Sequence, residues 1–274
     1  MAEVLRRLVR TPQGAIGLAI IALVLIAVLF GPWLAPRDPF AISPLQRYRP
    51  PGPVNFLGTD HLGRDLLSRV LHGASATVAM AIIATLAGTV AGSLIGTGSA
   101  YLGGRVDELM MRTVDAVMAI PSLLMSLLVV SMLGRSATNA VIAIAIAFTP
   151  GMARISRSVA LAVRKQDYVS AAIARGEGAG FVILREMLPN ALAPIIVEMT
   201  IRFAFSVMLF STLSFLGLGA QPPTPEWGLM VSEARRFMHL SSWMILWPCI
   251  SIALVAVGFN LLGDGLRDAL NPRT

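Results

Sequence analysis

Ionisable residues inside apolar stretches are the first candidates for chemistry in this sequence. Glu198 and Arg202 interrupt an apolar run over 191–220, and a spacing of four residues places them on one helix face, where they can pair. Ionisable groups in such a run are functional candidates by default. We interpret them as a self-neutralising structural pair, with a direct functional role for Glu198 as the alternative. Asp115, near the start of another apolar run, suits a helix N-terminus and is interpreted as structural.

Residues for catalysis or cofactor binding are not grouped in motifs. The lysine Lys165 lies in "VRKQD", which lacks the Gly-Lys-Ser/Thr step of a phosphate-binding loop. The histidines His61, His72 and His239 fall on one predicted side of the apolar runs, so they cannot form a haem pair across two spans. No Cys/His cluster offers a metal site, and Cys249 has no disulfide partner. We therefore predict no enzyme, metal or cofactor in this chain.

The composition indicates an all-α integral membrane protein. Of 274 residues, 55% are hydrophobic and 14% charged, whereas a soluble domain carries roughly 25% charged residues. About 20 apolar residues cross a bilayer as a helix. The net charge of +7 comes from arginines that flank the apolar runs and attract anionic lipid, so we predict a membrane partner and no nucleic acid. Six transmembrane helices are predicted, the first within 1–35 and the others at about 74–104, 113–134, 136–156, 191–216 and 241–263.

The basic residues also predict an orientation. More of them fall on the N-terminal side of the membrane than on the other, which by the positive-inside rule makes both termini cytoplasmic. The segments between spans divide accordingly into an outer segment 36–73 with an amphipathic helix, a cytoplasmic loop 165–189, an outer loop 217–240 and a cytoplasmic tail 266–274.

The cytoplasmic loop contains the stretch "SAAIARGEGAGFVILREMLP", rich in small residues. Its alanines favour a helix over Asp167–Arg175, and Gly176 is a natural helix stop. A second short helix is expected over Phe181–Leu188, ended by Pro189. Alanine and glycine allow another backbone to approach closely, so this helix pair is predicted to fill a groove in a partner.

Two outer stretches have a structural interpretation. In "LGTDHLGRDLLSR", Leu62, Leu66 and Val70 recur at helical spacing, with charged residues on other faces, which predicts an amphipathic helix at the membrane surface. In "SFLGLGAQPPTPEWG" the prolines stiffen a loop and Trp227 is expected to anchor it at the interface. We favour scaffolding of a pore mouth over substrate contact for both.

The loop resembles the cytoplasmic loop of ATP-binding cassette importer permeases, whose pattern is Glu-Ala-Ala, three residues, Gly, then a run ending in Leu-Pro. The resemblance implies a coupling helix that docks into a cleft of an ATPase subunit. Ser170 stands where the family usually has Glu. The candidate coupling residues are Ser170, Ala171, Ala172, Gly176, Arg185, Leu188 and Pro189.

The two outer stretches, together with "FNLLGDGLRDALNPR", look like the C-type subunit of the peptide/nickel permease group. That resemblance implies the type I importer permease fold in a bacterial inner membrane. It also implies a second, B-type permease subunit, one or two ATPase subunits that hold ATP and Mg, and an extracytoplasmic substrate-binding protein. Di- or oligopeptides are the expected cargo, with nickel complexes or oligosaccharides as alternatives within the group.

A secondary transporter driven by ions is the rival function. Such a protein is expected to carry paired carboxylates at mid-membrane and an internal inverted repeat. The sequence has no evident repeat, and Glu198 is the one serious coupling carboxylate. A subunit of a redox complex is disfavoured because the ligands for a redox centre are missing.

Overall fold

The computed structural model describes residues 7–9 and 11–270, and it is helical throughout most of that length. In these ranges one isolated antiparallel bridge, Thr59 to Asp65, is the only β pairing. Single 3-10 turns occupy Pro44–Gln46 and Arg235–Phe237. The α-helices are α1 (Pro12–Leu34), α2 (Leu66–Leu102), α3 (Gly104–Met118), α4 (Ser122–Leu133), α5 (Ala137–Arg164), α6 (Asp167–Ala174), α7 (Ala179–Phe215), α8 (Trp227–Ala234) and α9 (Trp243–Leu270).

Side-chain caps determine where three of the long helices begin. The hydroxyl of Thr11 accepts from the Gly14 N–H at 3.2 Å before α1. The carboxylate of Asp65 accepts from the Ser68 N–H at 2.9 Å before α2, and Ser136 caps α5 in the same way. Each cap satisfies a backbone donor that the helix itself leaves free, which is worth about 1 kcal/mol.

Five of the helices, α1, α2, α5, α7 and α9, are long and apolar enough to cross a membrane. A sixth candidate is the pair α3 and α4, which meet at an angle of 88°. Pro121 stands at the break and disfavours helical geometry at Ile120, the residue before it. The predicted six spans thus correspond to five unbroken helices and one bent pair, with the bend falling inside the range 113–134.

The predicted amphipathic helix in 36–73 is not a separate element. Residues 57–65 form a loop, in which Gly58 and Gly63 adopt φ values of +84° and +79°. These left-handed positions break the helical pattern, and α2 begins only after Asp65. The apolar spacing of Leu62, Leu66 and Val70 therefore reflects packing of a loop and the first turns of α2.

The helices α2 and α5 pack closely along a row of glycines. A β-carbon on Gly92 would lie 2.6 Å from the Thr149 carbonyl oxygen, and one on Gly96 would lie 2.2 Å from that of Ala153. Small residues allow such close approach between helices in a membrane, where dispersion contacts replace the hydrophobic effect as the driving force. This pair forms the centre of the bundle, with α7 packed on both helices.

Successive spans alternate in direction, which defines two ends of the bundle. The loop end holds residues 165–189, the corner between α2 and α3, the start of α1 and the end of α9. Gly14 and Gly265 meet there, since a β-carbon on Gly265 would lie 2.8 Å from the Gly14 Cα. The far end holds residues 35–65 and 216–242. The assignment of the loop end to the cytoplasm stays a prediction.

Candidate functional site

The loop end carries α6, a short helix with a complete C-terminal cap. Gly176 has φ +84° and its N–H donates to the Ile173 carbonyl at 2.9 Å. The N–H of Glu177 reaches back to the Ala172 carbonyl at 3.2 Å. These two bonds are the pattern of a Schellman cap, which favours glycine at the left-handed position. The predicted helix stop at Gly176 has this physical basis.

One face of the loop is buried in its own chain. Val169 and Ala172 of α6 pack against Val182 and Met187 of α7, and all four are fully buried. Ala100 of α2 and Ala160 of α5 complete the cluster. The loop therefore sits on a rigid base formed by the long helices rather than hanging free.

The other predicted loop residues point outward. Ser170, Ala171 and Gly176 are exposed, and no atom lies within 4 Å of where a Gly176 side chain would begin. Arg185 is also exposed, with its guanidinium 5.6 Å from the centre of the Phe181 ring. The structure thus separates Ala172, which faces the chain's interior, from the residues that a partner can reach.

The second helix of the loop does not end at Pro189 and instead runs on to Phe215 as α7. Its segment Val182–Met187 is π-helical, and the N–H of Leu188 bonds to the Ile183 carbonyl five residues back. After this wider turn, Pro189 occupies the first turn of the regular α-helix, where a proline needs no donor. Leu188 is half-buried and Pro189 exposed.

The predicted pair of Glu198 and Arg202 is present on α7. The Arg202 Nε lies 2.9 Å from the Glu198 Oε1, and each side chain is about one-fifth exposed. The Nε–H does not point at that oxygen, so the contact is an ion pair without a hydrogen bond. The guanidinium also lies 5.7 Å from the centre of the Phe148 ring on α5, a cation–π distance.

A cavity of about 440 Å³ opens beside this pair, where α3, α4, α5 and α7 meet. The bend at Pro121 forms one wall, Phe148 and Gly151 of α5 form another, and Arg202 reaches in from α7. A second cavity, also about 440 Å³, lies on the other side of the pair and is lined by Glu198 and Arg267 among others. The ion pair therefore stands between two cavities, which its sequence spacing could not indicate.

Asp115 forms an ion pair with Arg154 across α3 and α5. Both side chains are more than half exposed, although both helices belong to candidate membrane spans. Nearer the loop end, Arg157 holds Asp107 with two bonds of 2.6 and 2.5 Å, and Ser99 donates to the same carboxylate at 2.5 Å. Together these contacts attach α3 to α2 and α5.

Sequence reasoning missed a buried charge network at the far end. Arg64 and Arg69 were predicted to lie on faces of an amphipathic helix away from its apolar residues, but Asp60, Arg64 and Arg69 are 3%, 4% and 1% exposed. Arg64 bonds Asp60 at 2.5 Å, and both arginines reach the Oε2 of Glu233, at 3.0 and 3.3 Å. His61 stacks on Phe237 beside the network at 5.0 Å. The alternating signs in "TDHLGRDLLSR" were a signal of pairing, but Glu233 is too distant in sequence to be recognised as the partner.

The same end is fixed by Glu226 and Trp227. The buried Glu226 carboxylate accepts from the N–H groups of Gly228 and Leu229 at 3.0 and 2.8 Å and from the Thr77 hydroxyl at 3.1 Å. Burial raises the pKa of Glu226, and these bonds oppose the shift. Trp227 was expected as an interfacial anchor, but it is 3% exposed and donates to the Val70 carbonyl at 3.0 Å. It locks the far-end loop onto α2.

Residues able to bind a metal do not cluster in the described parts of the chain. No group of three or more His, Cys, Asp or Glu side chains in 7–9 and 11–270 could hold a metal ion. His61 and His72 both lie at the far end but contact different residues. His61 stacks on Phe237, whereas His72 Nδ1 contacts the Ser68 carbonyl at 2.9 Å. Two ion pairs, Asp107 with Arg157 and Asp115 with Arg154, join α3 to α5 instead.

The five or six candidate spans form a bundle with an exposed loop of small residues at one end and a cavity between four helices, which is the architecture of a multi-pass membrane protein. The chain belongs to the family described as binding-protein-dependent transport system inner membrane component, which it matches over residues 88–274. Residues 1–51 match the N-terminal TM domain of oligopeptide transport permease C. The protein is therefore an all-helical, multi-pass permease of the inner membrane with the fold of type I importers.

Relatives resemble the chain over nearly its whole length. It is 38% identical to the dipeptide transport system permease protein DppC of Alkalihalophilus pseudofirmus, over 99% of this chain and 89% of the relative. It is 40% identical to the probable D,D-dipeptide transport system permease protein DdpC of Escherichia coli, over 96% and 88%. It is 38% identical to the glutathione transport system permease protein GsiD of Escherichia coli, over 99% and 90%.

Proposed function

We propose that this chain is one of two membrane-embedded halves of an ATP-driven importer of short peptides. Separate ATPase subunits bind ATP and Mg, a B-type permease forms the other half, and an extracytoplasmic binding protein delivers the cargo. The observation that carries this proposal is the loop 165–189, an exposed surface of small residues on a fully buried base. Family membership supports the permease role itself.

The loop has the mechanical properties that coupling requires. Ser170, Ala171 and Ile173 offer a small exposed surface to an ATPase cleft. Behind them, Val169 and Ala172 are packed onto α5 and α7, so a displaced α6 displaces two membrane helices with it. ATP binding drives the cycle only if docking energy differs between the inward- and outward-facing states.

Exposed charges support the position of the second permease half. Asp115 and Arg154 form their pair on an outward face of α3 and α5, and ionised groups facing hydrocarbon are costly. The same two helices, α3 and α5, also line the cavity that contains Arg202. A partner permease that covers this face encloses the charges in protein and water and makes the cavity part of a pathway.

The cargo proposal comes from the relatives. Their printed names specify dipeptide, D,D-dipeptide and glutathione transport, and glutathione is itself a tripeptide. Purified complex in vesicles, with its binding protein and ATP, is expected to accumulate di- or tripeptides and not nickel complexes or oligosaccharides. Uptake of either of the latter without peptide uptake would reject the peptide assignment.

The coupling role is tested at Gly176. Gly176→Val forces a branched residue into a left-handed conformation at a cost of about 1–2 kcal/mol and adds bulk to the exposed surface. Gly178, with an ordinary φ of −68° and equally open surroundings, is the matched control. We expect Gly176→Val to insert normally but to lose ATPase co-purification and uptake, with Gly178→Val less affected. Full association and uptake in Gly176→Val would exclude the loop as the coupling element.

A further inference from the structure

The cavity at the bend of α3 and α4 has a single charged lining residue among the described residues, Arg202. Its other walls are apolar or weakly polar, with Met118, Met125 and Met208 facing Phe148 and Phe205. Arg202 is paired with Glu198, but the guanidinium is the member of the pair that lines this cavity, so the cavity meets the positive end of the pair and favours negative charge there.

The partner carboxylate of Arg202 does not neutralise this cavity directly. Glu198 contacts the Nε side of the guanidinium and lines the second cavity instead. The carboxylate of Asp115 is held by Arg154 and is also absent from the lining. Within the ion pair, Glu198 therefore faces the second cavity, and Arg202 faces the cavity at the bend of α3 and α4.

Packing holds the guanidinium in place while leaving its outer nitrogens available. A β-carbon on Gly151 would lie 2.6 Å from the Arg202 Nη2, so the absence of a side chain there makes the notch that the guanidinium fills. The Phe148 ring supports it at 5.7 Å. The contact with Glu198 is made at Nε, on the inner side of the guanidinium. Two parallel donors with a fixed orientation match a carboxylate.

We propose that Arg202 is a specificity-determining residue of the pathway and binds the C-terminal carboxylate of a peptide in transit. This inference rests on the proposed function as a peptide importer. A terminal carboxylate is common to all peptides whatever their side chains. The methionines around it are flexible and adapt to different shapes, so the cavity combines one fixed polar contact with tolerant walls.

The charge preference of the cavity is tested without any peptide. In a Cys249→Ser background of the complete complex, Phe205→Cys places a thiol on the cavity lining three residues from Arg202. We expect the anionic reagent sulfonatoethyl methanethiosulfonate to react with this thiol about tenfold faster than cationic trimethylammonioethyl methanethiosulfonate, after each rate is divided by the reagent's rate with a free thiol in solution. The double change Glu198→Gln/Arg202→Gln removes the cation without stranding a carboxylate and is expected to abolish this difference. If the ratio of anionic to cationic reaction rate is the same in the parent and in the double variant, the proposal is overturned.

The carboxylate itself is tested by transport. A dipeptide and its C-terminal amide are each presented at concentrations that saturate the binding protein, so that affinity for that protein does not contribute. The parent complex is expected to transport the free acid at least several-fold faster than the amide. The Glu198→Gln/Arg202→Gln complex is expected to transport the two peptides at the same rate. Arg267→Gln, which removes the cation of the second cavity, is the control expected to keep the preference. Retention of the preference in the double variant overturns the assignment of Arg202.

The two experiments separate this inference from the proposed function. A parent complex that moves no peptide in any form refutes the peptide importer, and the carboxylate proposal that rests on it. The thiol-reagent ratio then still decides whether Arg202 makes the cavity selective for anions. A parent complex that moves both peptide forms equally refutes the carboxylate contact while leaving the importer intact.

Discussion

The Nη2 of Arg69 donates a hydrogen bond of 3.3 Å to the Oε2 of Glu233, a residue 164 positions further along the chain. Arg64 reaches the same oxygen at 3.0 Å. This carboxylate therefore joins the loop that precedes α2 to the helix α8 of the far-end loop. Glu233 thus adds an ionic contact at the far end to the hydrogen bonds that Glu226 and Trp227 make with α2.

Glu233→Gln is expected to weaken the far end substantially. The change leaves the almost fully buried guanidinium groups of Arg64 and Arg69 with a single carboxylate partner, Asp60. Breaking a buried ion pair on one side costs about 3–5 kcal/mol, and the partial exposure of Glu233 reduces that figure. The thermal midpoint of the purified protein in detergent measures the effect. Arg236→Gln on the neighbouring exposed turn is the control and is expected to shift it little.

Stability is expected to depend on the protonation of His61. Burial lowers the pKa of His61 from 6.5, against the opposing attraction of Asp60 and Glu233. Because the fold disfavours the protonated ring, the stability contribution is fully present above about pH 6.5 and is lost as the pH falls below it. The thermal midpoint should therefore fall between pH 7 and pH 5, to a smaller degree in His61→Phe. An identical pH profile in the two proteins would contradict this.

For Glu198 and Arg202, removing one partner is expected to harm folding more than removing both. Each single change to glutamine or alanine strands a charge in a membrane span, whereas the double change leaves none. Yield and thermal midpoint after membrane extraction measure the difference. A double variant as unstable as the worse single variant would refute a structural contribution of the pair.

Ala171 and Ala172 are neighbours with opposite exposure, which makes them a matched test of the loop. Ala172→Asp places a carboxylate in a fully buried apolar cluster and is expected to lower thermal stability and to disorganise the loop. Ala171→Asp lies on the exposed surface and is expected to leave stability unchanged while weakening ATPase co-purification. Equal stability of both variants would show that the cluster does not hold the loop.

Topology is testable with single cysteines in a Cys249→Ser background. Leu45→Cys lies in the far-end turn, where residue 45 is 93% exposed, and is expected to react with an impermeant thiol reagent in intact cells once outer-membrane access is provided. Ala174→Cys at the loop end is exposed as well and is expected to react only after permeabilisation. The reverse pattern would invert the predicted orientation.

Local properties of the sequence were sufficient for the class of fold and for the end of the first loop helix. Length and apolarity of a run decide whether a helix can cross a bilayer, and the runs predicted the helical bundle without reference to any contact. The stop at Gly176 was predictable because a left-handed cap is a preference of one residue. The spacing of Glu198 and Arg202 likewise determined their pairing, since helix geometry alone brings residues four apart together.

Tertiary structure alone decided which side chains meet across the chain. The bend at Pro121 separates α3, which carries charged residues, from the apolar α4, and the cavity exists only because α5 and α7 pack around that bend. Whether Ala171 or Ala172 faces inward depends on where α2 and α5 lie. Arg69 was predicted to lie on a face of an amphipathic helix away from its apolar residues, and its partner Glu233 is too distant in sequence to be recognised. Burial of a charge is determined by its neighbours in space, and only folding brings those neighbours together.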